Sequence, residues 1–206
     1  MIVESKVFQS FLYSSGLLDE INDTFNDLDV FKKVLPNWLL AESILATLRH
    51  DGFKKNFIYS MNEEYIEVEE KYLTQFLQTD GDLKHAQTVA KTEMKYFKDY
   101  LRITAAFQDF SLDEYEIAAL LQISLLKHAT LLFDPDSRQA SAIGNHLKTL
   151  FKDLSIYYSN NYEQTAIRFD LLAGALGQLQ ELRLLHDHHR ITMELNGKSI
   201  TYRKHV

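Results

Sequence analysis

The stretch LLFDPDSRQ, residues 131–139, decides how the chain divides into helices. An apolar run stops at Phe133, and apolar residues recur with helical spacing after Ser137. Pro135 has the φ angle of a first helical turn, and Asp134 can accept hydrogen bonds from the N–H groups exposed there. The stretch therefore predicts the end of one helix and the start of the next.

The rest of the chain follows the same helical period. Only 7 Gly and 2 Pro interrupt 206 residues, and apolar residues recur at three- and four-residue steps between them. We predict helices over 3–22, 29–49, 62–78, 83–108, 112–132, 136–159 and 163–195. Residues 51–70 mix β-forming residues with a polar turn, so a short hairpin of Phe57–Tyr59 with Tyr65–Val68 is the alternative there. The predicted fold class is all-α, with room for this one hairpin.

The composition limits how many domains the chain can form and which classes of partner it can bind. With 46% hydrophobic residues and no linker or repeat, residues 1–206 are expected to form one domain. The net charge of -7 argues against direct contact with nucleic acid, which needs a basic surface. The absence of cysteine excludes disulfides and thiolate zinc modules. No stretch reaches the length of a membrane span, so we expect a soluble intracellular protein.

No motif in the sequence specifies a reaction or a cofactor. In LLHDHHR, residues 184–190, only His186 and His189 have the spacing of helical metal ligands, and no HExxH motif supports them. Residues 134–139 begin like a calcium loop, but Arg138 and Gln139 stand where an oxygen ligand and a turn glycine belong. A GxSxG elbow and a phosphate-binding glycine loop are also missing. We expect no enzyme, no metal site and no cofactor.

From Leu132 to Gly197 the sequence resembles the C-terminal half of a nuclear hormone receptor ligand-binding domain. The matching segments are LFDPDSR from 132, LSIYYSNNYEQTAIRF from 154, and LLAGALGQLQELRLLHDHHRITMELNG from 171 to 197. These segments are most similar to domains of the retinoid X type, and the sequence is divergent in the way that the many nematode receptors are. The resemblance implies a three-layer helical sandwich in which the opening turn joins the eighth and ninth helices.

The N-terminal half resembles the family signature less closely. Phe25 and Leu28 match its F-x-x-L, and Trp38 and Arg49 match its tryptophan and the arginine eleven residues later. Between Leu28 and Trp38 the chain is about one helical turn shorter than the signature. This difference puts in doubt the groove that relatives build at this point.

The resemblance implies a cavity for a small lipophilic or acidic ligand. His186, His189 and Met193 share one face of the last helix, and His189 aligns with a histidine that contacts ligand in relatives. Arg49 aligns with an arginine that holds a ligand carboxylate or hydroxyl in several relatives, and a guanidinium suits an acidic group. The alternatives are a hydrogen-bonded core or surface position for His189 and a solvent-facing Arg49.

A second face of the last helix resembles the receptor dimer interface. Its members follow three- and four-residue steps along the seventh predicted helix, 163–195, and we call them the α7 stripe after that helix: Leu171, Gly174, Gly177, Gln180 and Leu184. Small residues allow two helices to approach closely, and a self-complementary stripe suits two-fold pairing with the same or another receptor domain. The alternative is an ordinary core face within the chain.

Two departures limit the switching function that the resemblance implies. Glu20 stands where relatives carry a coactivator-clamping lysine, and KSITYRKHV after Gly197 contains no acidic activation helix. We therefore expect a ligand-sensing or dimerising domain of a nuclear transcription regulator, without a DNA-binding module. The alternative is a helical interaction scaffold whose pocket is filled by large side chains: Phe8, Phe11, Phe53, Phe57 and Phe107.

Overall fold

The computed structural model describes residues 28–60, 64–78 and 83–195. The predicted helix over 3–22, Glu20 and the segment after Gly197 lie outside these ranges. The elements in chain order are α1 (Leu28–Arg49), α2 (Gly52–Lys55), β1 (Phe57–Tyr59), β2 (Tyr65–Glu67), α3 (Glu70–Leu77), α4 (Leu83–Ala106), a 3-10 helix (Phe107–Phe110), α5 (Glu114–Thr130), α6 (Arg138–Asn161) and α7 (Thr165–Leu195).

The all-α class with one small hairpin is confirmed, and one predicted helix is wrong at its start. Over 62–78 the helix begins only at Glu70, because Tyr65–Glu67 pairs antiparallel with Phe57–Tyr59. Ile58 pairs with Ile66 in this ladder and is buried. Strand pairing that buries Ile58 therefore determines the local structure, although the spacing of apolar residues predicts a helix. The hairpin alternative is therefore the correct one.

The turn at 131–139 joins two helices, but its capping residue differs from the prediction. Ser137 is the N-cap of α6, and its hydroxyl accepts a hydrogen bond from the Ala140 amide at 3.1 Å. The Asp134 carboxylate instead accepts a bond from the Asp136 amide at 2.9 Å, which closes a local turn. The prediction of Asp134 as the cap, with Pro135 in the first turn, is therefore wrong. A serine three residues later has the same capping chemistry and is followed directly by the helix.

The helices form a layered sandwich around one hydrophobic core. α5 packs against α1, α6 and α7, while α4 packs against α1, α3 and α7. Fully buried side chains come from each of the five long helices that meet there: Ile44, Ile103, Ile123, Ile143 and Leu172. α5 is therefore the central helix, and α4 and α7 face each other beside it.

Polar side chains attach the hairpin to the helical core. The Tyr59 amide donates to Thr47 Oγ1 at 3.0 Å, and Ser43 Oγ donates to the Tyr59 carbonyl at 2.9 Å. The Tyr100 hydroxyl on α4 in turn donates to Ser43 Oγ at 2.8 Å. A Cβ atom on Gly52 would lie 2.3 Å from the Phe57 carbonyl oxygen, so only glycine fits beside β1. These contacts fix the hairpin against the C-terminal half of α1.

Candidate functional site

The side chains predicted to contact ligand lie in two different settings. Arg49 is the last residue of α1 and is exposed. His186 and His189 lie on α7 and contact side chains of α4. Met193 continues the same face of α7, and its side chain lies outside the described residues. The structure therefore brings the two histidines together and leaves Arg49 at the surface.

A buried polar cluster joins α4 to α7, and we call it the histidine cluster: Glu93, Tyr96, His186 and His189. His189 Nε2 lies 2.8 Å from Glu93 Oε1, with side chains only 10% and 8% exposed. The His189 ring stacks on the Tyr96 ring with centroids 4.0 Å apart. The Tyr96 hydroxyl lies 2.9 Å from His186 Nδ1. Each histidine therefore has a specific partner on α4.

The arrangement of the histidine cluster leaves one buried nitrogen open. A carboxylate can only accept, so His189 donates to Glu93 through Nε2–H, and in the neutral ring Nδ1 is an acceptor. His189 Nδ1 is buried without a hydrogen-bond partner among the described residues. Burial, together with the neighbouring His189, lowers the pKa of His186. The open nitrogen can take part in a hydrogen bond with a ligand, and burial favours the neutral form of His186.

A metal site at the histidine cluster would need a third ligand close to the two histidines. Within the described ranges, no three side chains of His, Cys, Asp or Glu are grouped closely enough to hold a metal ion. The cluster is therefore a hydrogen-bonding site.

Side chains fill the interior beside α5. A cavity of about 10 Å³ lies among Ala41, Ile44, Leu45, Phe107, Leu120, Leu121 and Leu179. A space of this size is at the lower limit for one water, whereas lipophilic ligands occupy about 300–1,000 Å³. Phe107 is buried against this cavity, Phe53 and Phe57 are half-buried, and Phe8 and Phe11 lie outside the described residues. Part of the predicted set of large side chains therefore packs inward.

A second polar centre connects α5 to α7. The Glu116 carboxylate accepts a bond from Arg168 Nε at 2.8 Å and a further bond from Arg168 Nη2. Glu116 also accepts from the Asp113 amide at 2.9 Å, completing a capping box at the start of α5. The guanidinium lies 4.5 Å from the centre of the Tyr162 ring. One buried carboxylate thus serves both the helix cap and an ion pair between helices.

Asp113 extends this centre to the end of α6. Its carboxylate accepts hydrogen bonds from the Tyr157 hydroxyl at 2.8 Å and from the Tyr162 hydroxyl. Burial alone would raise the pKa of Asp113, but bonds from Tyr162, the Glu116 amide and Tyr157 outweigh burial and lower the pKa. Tyr157, Tyr162 and Arg168, which carried the sequence resemblance, are therefore held together by two carboxylates of α5.

Comparison with protein families gives one match. The model of the ligand-binding domain of nuclear hormone receptor matches residues 23–197, which include the histidine cluster and the ion pair. The chain belongs to this family. No curated protein and no solved structure gave a match. In the described part of this receptor domain, no helix is long and apolar enough to cross a membrane.

The α7 stripe of the receptor domain divides into two parts. Gly177 has open space around it, Gln180 is exposed, and Leu184 is 62% exposed. A Cβ atom on Gly174 would lie 2.7 Å from the Phe110 ring, and Leu171 is half-buried. The N-terminal members of the stripe therefore pack within the chain, while the C-terminal members are accessible to a partner.

Sequence reasoning missed several residues of the two polar centres of this receptor domain. Glu93 and Tyr96 are three residues apart on α4 and share a face, but a carboxylate among apolar residues carries no signal that it is buried. Asp113 and Glu116 have the spacing of a capping box, which could have been read from DEYE at 113–116. That motif places the helix start, but it gives no indication that Arg168 is the partner of Glu116.

Proposed function

We propose that this receptor domain acts in transcription regulation by pairing with a second receptor domain through the C-terminal part of the α7 stripe. The observation that supports the proposal is the exposed surface of Gly177, Gln180 and Leu184 on a helix of 31 residues. Pairing of the same kind is what the retinoid X-like resemblance of this segment implies. Nuclear residence without direct DNA contact by this chain belongs to the same proposal.

The chemistry of this surface suits close helix pairing. Leu184 exposes a large apolar side chain, and Ile191, seven residues later, is 47% exposed. Residues seven apart lie on nearly the same side of a helix, so these side chains form one apolar patch. Gly177 has no side chain to keep a partner helix away. A two-fold partner would bury this patch, and the polar Gln180 would lie within it.

Sedimentation velocity on the purified chain tests the pairing. We expect a dimer for the unmodified chain, and a monomer for Gly177→Arg, because a charged side chain would fill the space of the partner helix. Gln75→Arg, at an exposed position of α3, is the matched control and should leave the dimer intact. A chain that stays monomeric at high concentration, alone and mixed with a retinoid X-type domain, would contradict the proposal.

A second function, ligand sensing, is supported by the Nδ1 atom of His189, which is buried and has no hydrogen-bond partner in the part of the chain that the structure describes. We propose that a small lipophilic ligand donates a hydrogen bond to this atom, and His186 and Met193 are kept as the other ligand-binding residues of α7. Arg49 is kept in the proposal as the residue that would hold an acidic group. The alternative is a scaffold without a ligand, which the inward packing of Phe107 and Tyr96 supports.

Thermal unfolding with two probes of equal tail length separates these possibilities. Hexadecanol can donate a hydrogen bond to His189, whereas palmitate needs a cation such as Arg49. A ligand that binds only the folded state must raise Tm. We expect hexadecanol to raise Tm of the unmodified chain and to lose this effect in His189→Gln, which keeps a donor for Glu93. If neither probe changes Tm, the scaffold without a ligand is the better description.

Catalysis forms no part of the proposed function. The nuclear hormone receptor ligand-binding family is generally non-enzymatic. The activities proposed for the domain, pairing and ligand sensing, are binding events. The two experiments above therefore measure association and ligand binding.

A further inference from the structure

An open hollow of about 300 Å³ lies where the N-terminal end of α5 meets the C-terminal end of α6. We call it the tyrosine hollow, and its lining residues are Tyr115, Asp153, Ile156, Tyr157, Asn160 and Asn161. These residues belong neither to the α7 stripe nor to the histidine cluster. The hollow is therefore a separate surface of the domain.

Two tyrosines form a rigid wall of this hollow. The Tyr115 and Tyr157 rings stack with centroids 4.2 Å apart and planes 21° apart. The Tyr157 hydroxyl is fixed to Asp113 at 2.8 Å, and Asn161 Nδ2 donates to the Tyr157 carbonyl at 2.8 Å. Tyr115 is 43% exposed and Ile156 is 53% exposed. A flat aromatic surface and an aliphatic side chain are thus presented to solvent in a fixed position.

The charge of the lining is negative. Its members include one carboxylate, Asp153, two carboxamides, and no cation. Arg168 lies at the neighbouring polar centre, but both of its bonding nitrogens are engaged with Glu116. The net charge of the whole chain is also -7. A cationic group would therefore be attracted to the hollow and would meet no competing cation in its lining.

We propose that the tyrosine hollow docks an arginine side chain carried by a segment of a partner protein. A guanidinium can stack on the face of Tyr115 and donate two parallel hydrogen bonds to Asp153. Lysine has a compact charge that stacks less well and cannot bond in this parallel manner. Ile156 supplies apolar contact for the aliphatic part of the arginine side chain. Both side chains carry one positive charge, so the site distinguishes arginine from lysine by the flat shape and the paired donors of the guanidinium.

Fluorescence anisotropy with labelled peptides tests this inference on the full chain. The probes are a fluorescein-labelled Gly-Arg-Gly-Arg-Gly peptide and the same peptide with lysine or with citrulline in place of arginine. Citrulline keeps the shape of arginine without its charge. We expect the arginine peptide to bind most tightly and Asp153→Asn to weaken its binding about threefold to fivefold, as for a partly exposed ion pair.

Matched variants decide whether binding is specific to the hollow. Asp170→Asn removes an exposed carboxylate of α7 that does not line the hollow, and it should leave the affinity unchanged. Ile156→Ala should weaken binding of the arginine peptide without lowering Tm, because Ile156 is largely exposed. Equal binding of the citrulline peptide, an equal effect of Asp170→Asn, or no binding at millimolar protein would each overturn the inference.

Discussion

Arg168 on α7 is paired with Glu116 on α5 in the interior of the domain, and the carboxylate of Glu116 has no exposed surface. The pair joins two helices whose partners are 52 residues apart in sequence. Taking both charges out of water is costly, so the pair depends on the two parallel bonds and on the Asp113 amide. Loss of one member would leave the other charge buried.

We expect Arg168→Met to destabilise the domain by about 3–5 kcal/mol, because Glu116 would stay buried without its cation. The double variant Arg168→Met with Glu116→Leu should recover much of this loss, since neither charge would then need a partner. The free energy of unfolding is measured by urea titration with circular dichroism detection.

The exposed pair of Arg102 and Glu181 is the control for this prediction. Its nitrogen and oxygen atoms lie 3.1 Å apart, with side chains 62% and 47% exposed. Arg102→Met should therefore change the free energy of unfolding by less than about 1 kcal/mol. Comparable losses for Arg168→Met and Arg102→Met would show that burial of the first pair has no energetic consequence.

Removing the tyrosine donors should make the domain more sensitive to acid. With Tyr157→Phe and Tyr162→Phe together, the pKa of Asp113 should rise, because burial, which raises it, would remain while two of the hydrogen bonds that lower it would be lost. A depressed folded-state pKa stabilises the protein above the unfolded value, near 3.8, and this stabilisation is lost as pH falls. Acid unfolding of the double variant should therefore begin at a higher pH than in the unmodified chain.

Carbon-13 NMR of the Asp113 carboxyl measures this pKa directly. Tyr115→Phe removes a hydroxyl from the same region, but the Tyr115 hydroxyl gives Asp113 no hydrogen bond among those described above. It should leave the pKa of Asp113 unchanged. A pKa that does not respond to the double variant would contradict the assigned role of Tyr157 and Tyr162.

Protonation of His186 should weaken the contact between α4 and α7. Burial first, and then the nearby His189, lowers the pKa of His186 below 6.5, so the unfolded chain binds this proton more readily than the folded one. Stability should therefore fall as pH drops below about 6.5. Asn in place of His186 can still accept from Tyr96 but cannot titrate, so His186→Asn should reduce this pH dependence.

Urea titrations at pH 7.5 and 5.5 give the required comparison. His188→Asn is the control, because His188 is exposed on the same helix. An identical loss of stability between the two pH values in the unmodified chain and in His186→Asn would exclude His186 as the source.

Substitution by alanine should stabilise the domain at Gly177 but not at Gly174, the two glycines of the α7 stripe. Gly177→Ala places its Cβ in open space and gains helix propensity, so we expect stabilisation by about 0.5–1 kcal/mol. Gly174→Ala would place its Cβ 2.7 Å from Phe110, and the displaced ring should cancel or reverse that gain. Thermal unfolding at low protein concentration compares the variants, and equal shifts in Tm would contradict the Phe110 contact.

The parts of the fold that could be predicted from sequence are those set by local periodicity. α1, α5, α6 and α7 begin and end within about two residues of their predicted bounds, because apolar spacing and nearby turn residues determine them. The strand Tyr65–Glu67 lies within the predicted helix over 62–78 and agrees instead with the hairpin given as the alternative, because its pairing with Phe57–Tyr59 is a contact across a turn. Periodicity cannot register contacts of that kind.

For the candidate site, the sequence predicts which residues share a helical face but not the partners that they contact. His186 and His189 share a face on α7, and the structure places both against α4. Their partners Glu93 and Tyr96 lie about 90 residues earlier, and no pattern in one sequence connects segments so far apart. Gly174 and Gly177 look equivalent by spacing, but the position of Phe110 separates them.

The carboxylate of Asp113 accepts one local hydrogen bond and two long-range ones. Its bond with the Glu116 amide spans three residues, while its bonds with Tyr157 and Tyr162 span 44 and 49. A helical turn closes in about a microsecond, whereas loops of this length carry a larger entropic cost and close later. We therefore expect the local bond at the start of α5 to form first and to orient the Asp113 carboxylate. The hydroxyls of Tyr157 and Tyr162 would then bond to an acceptor that already has its final orientation.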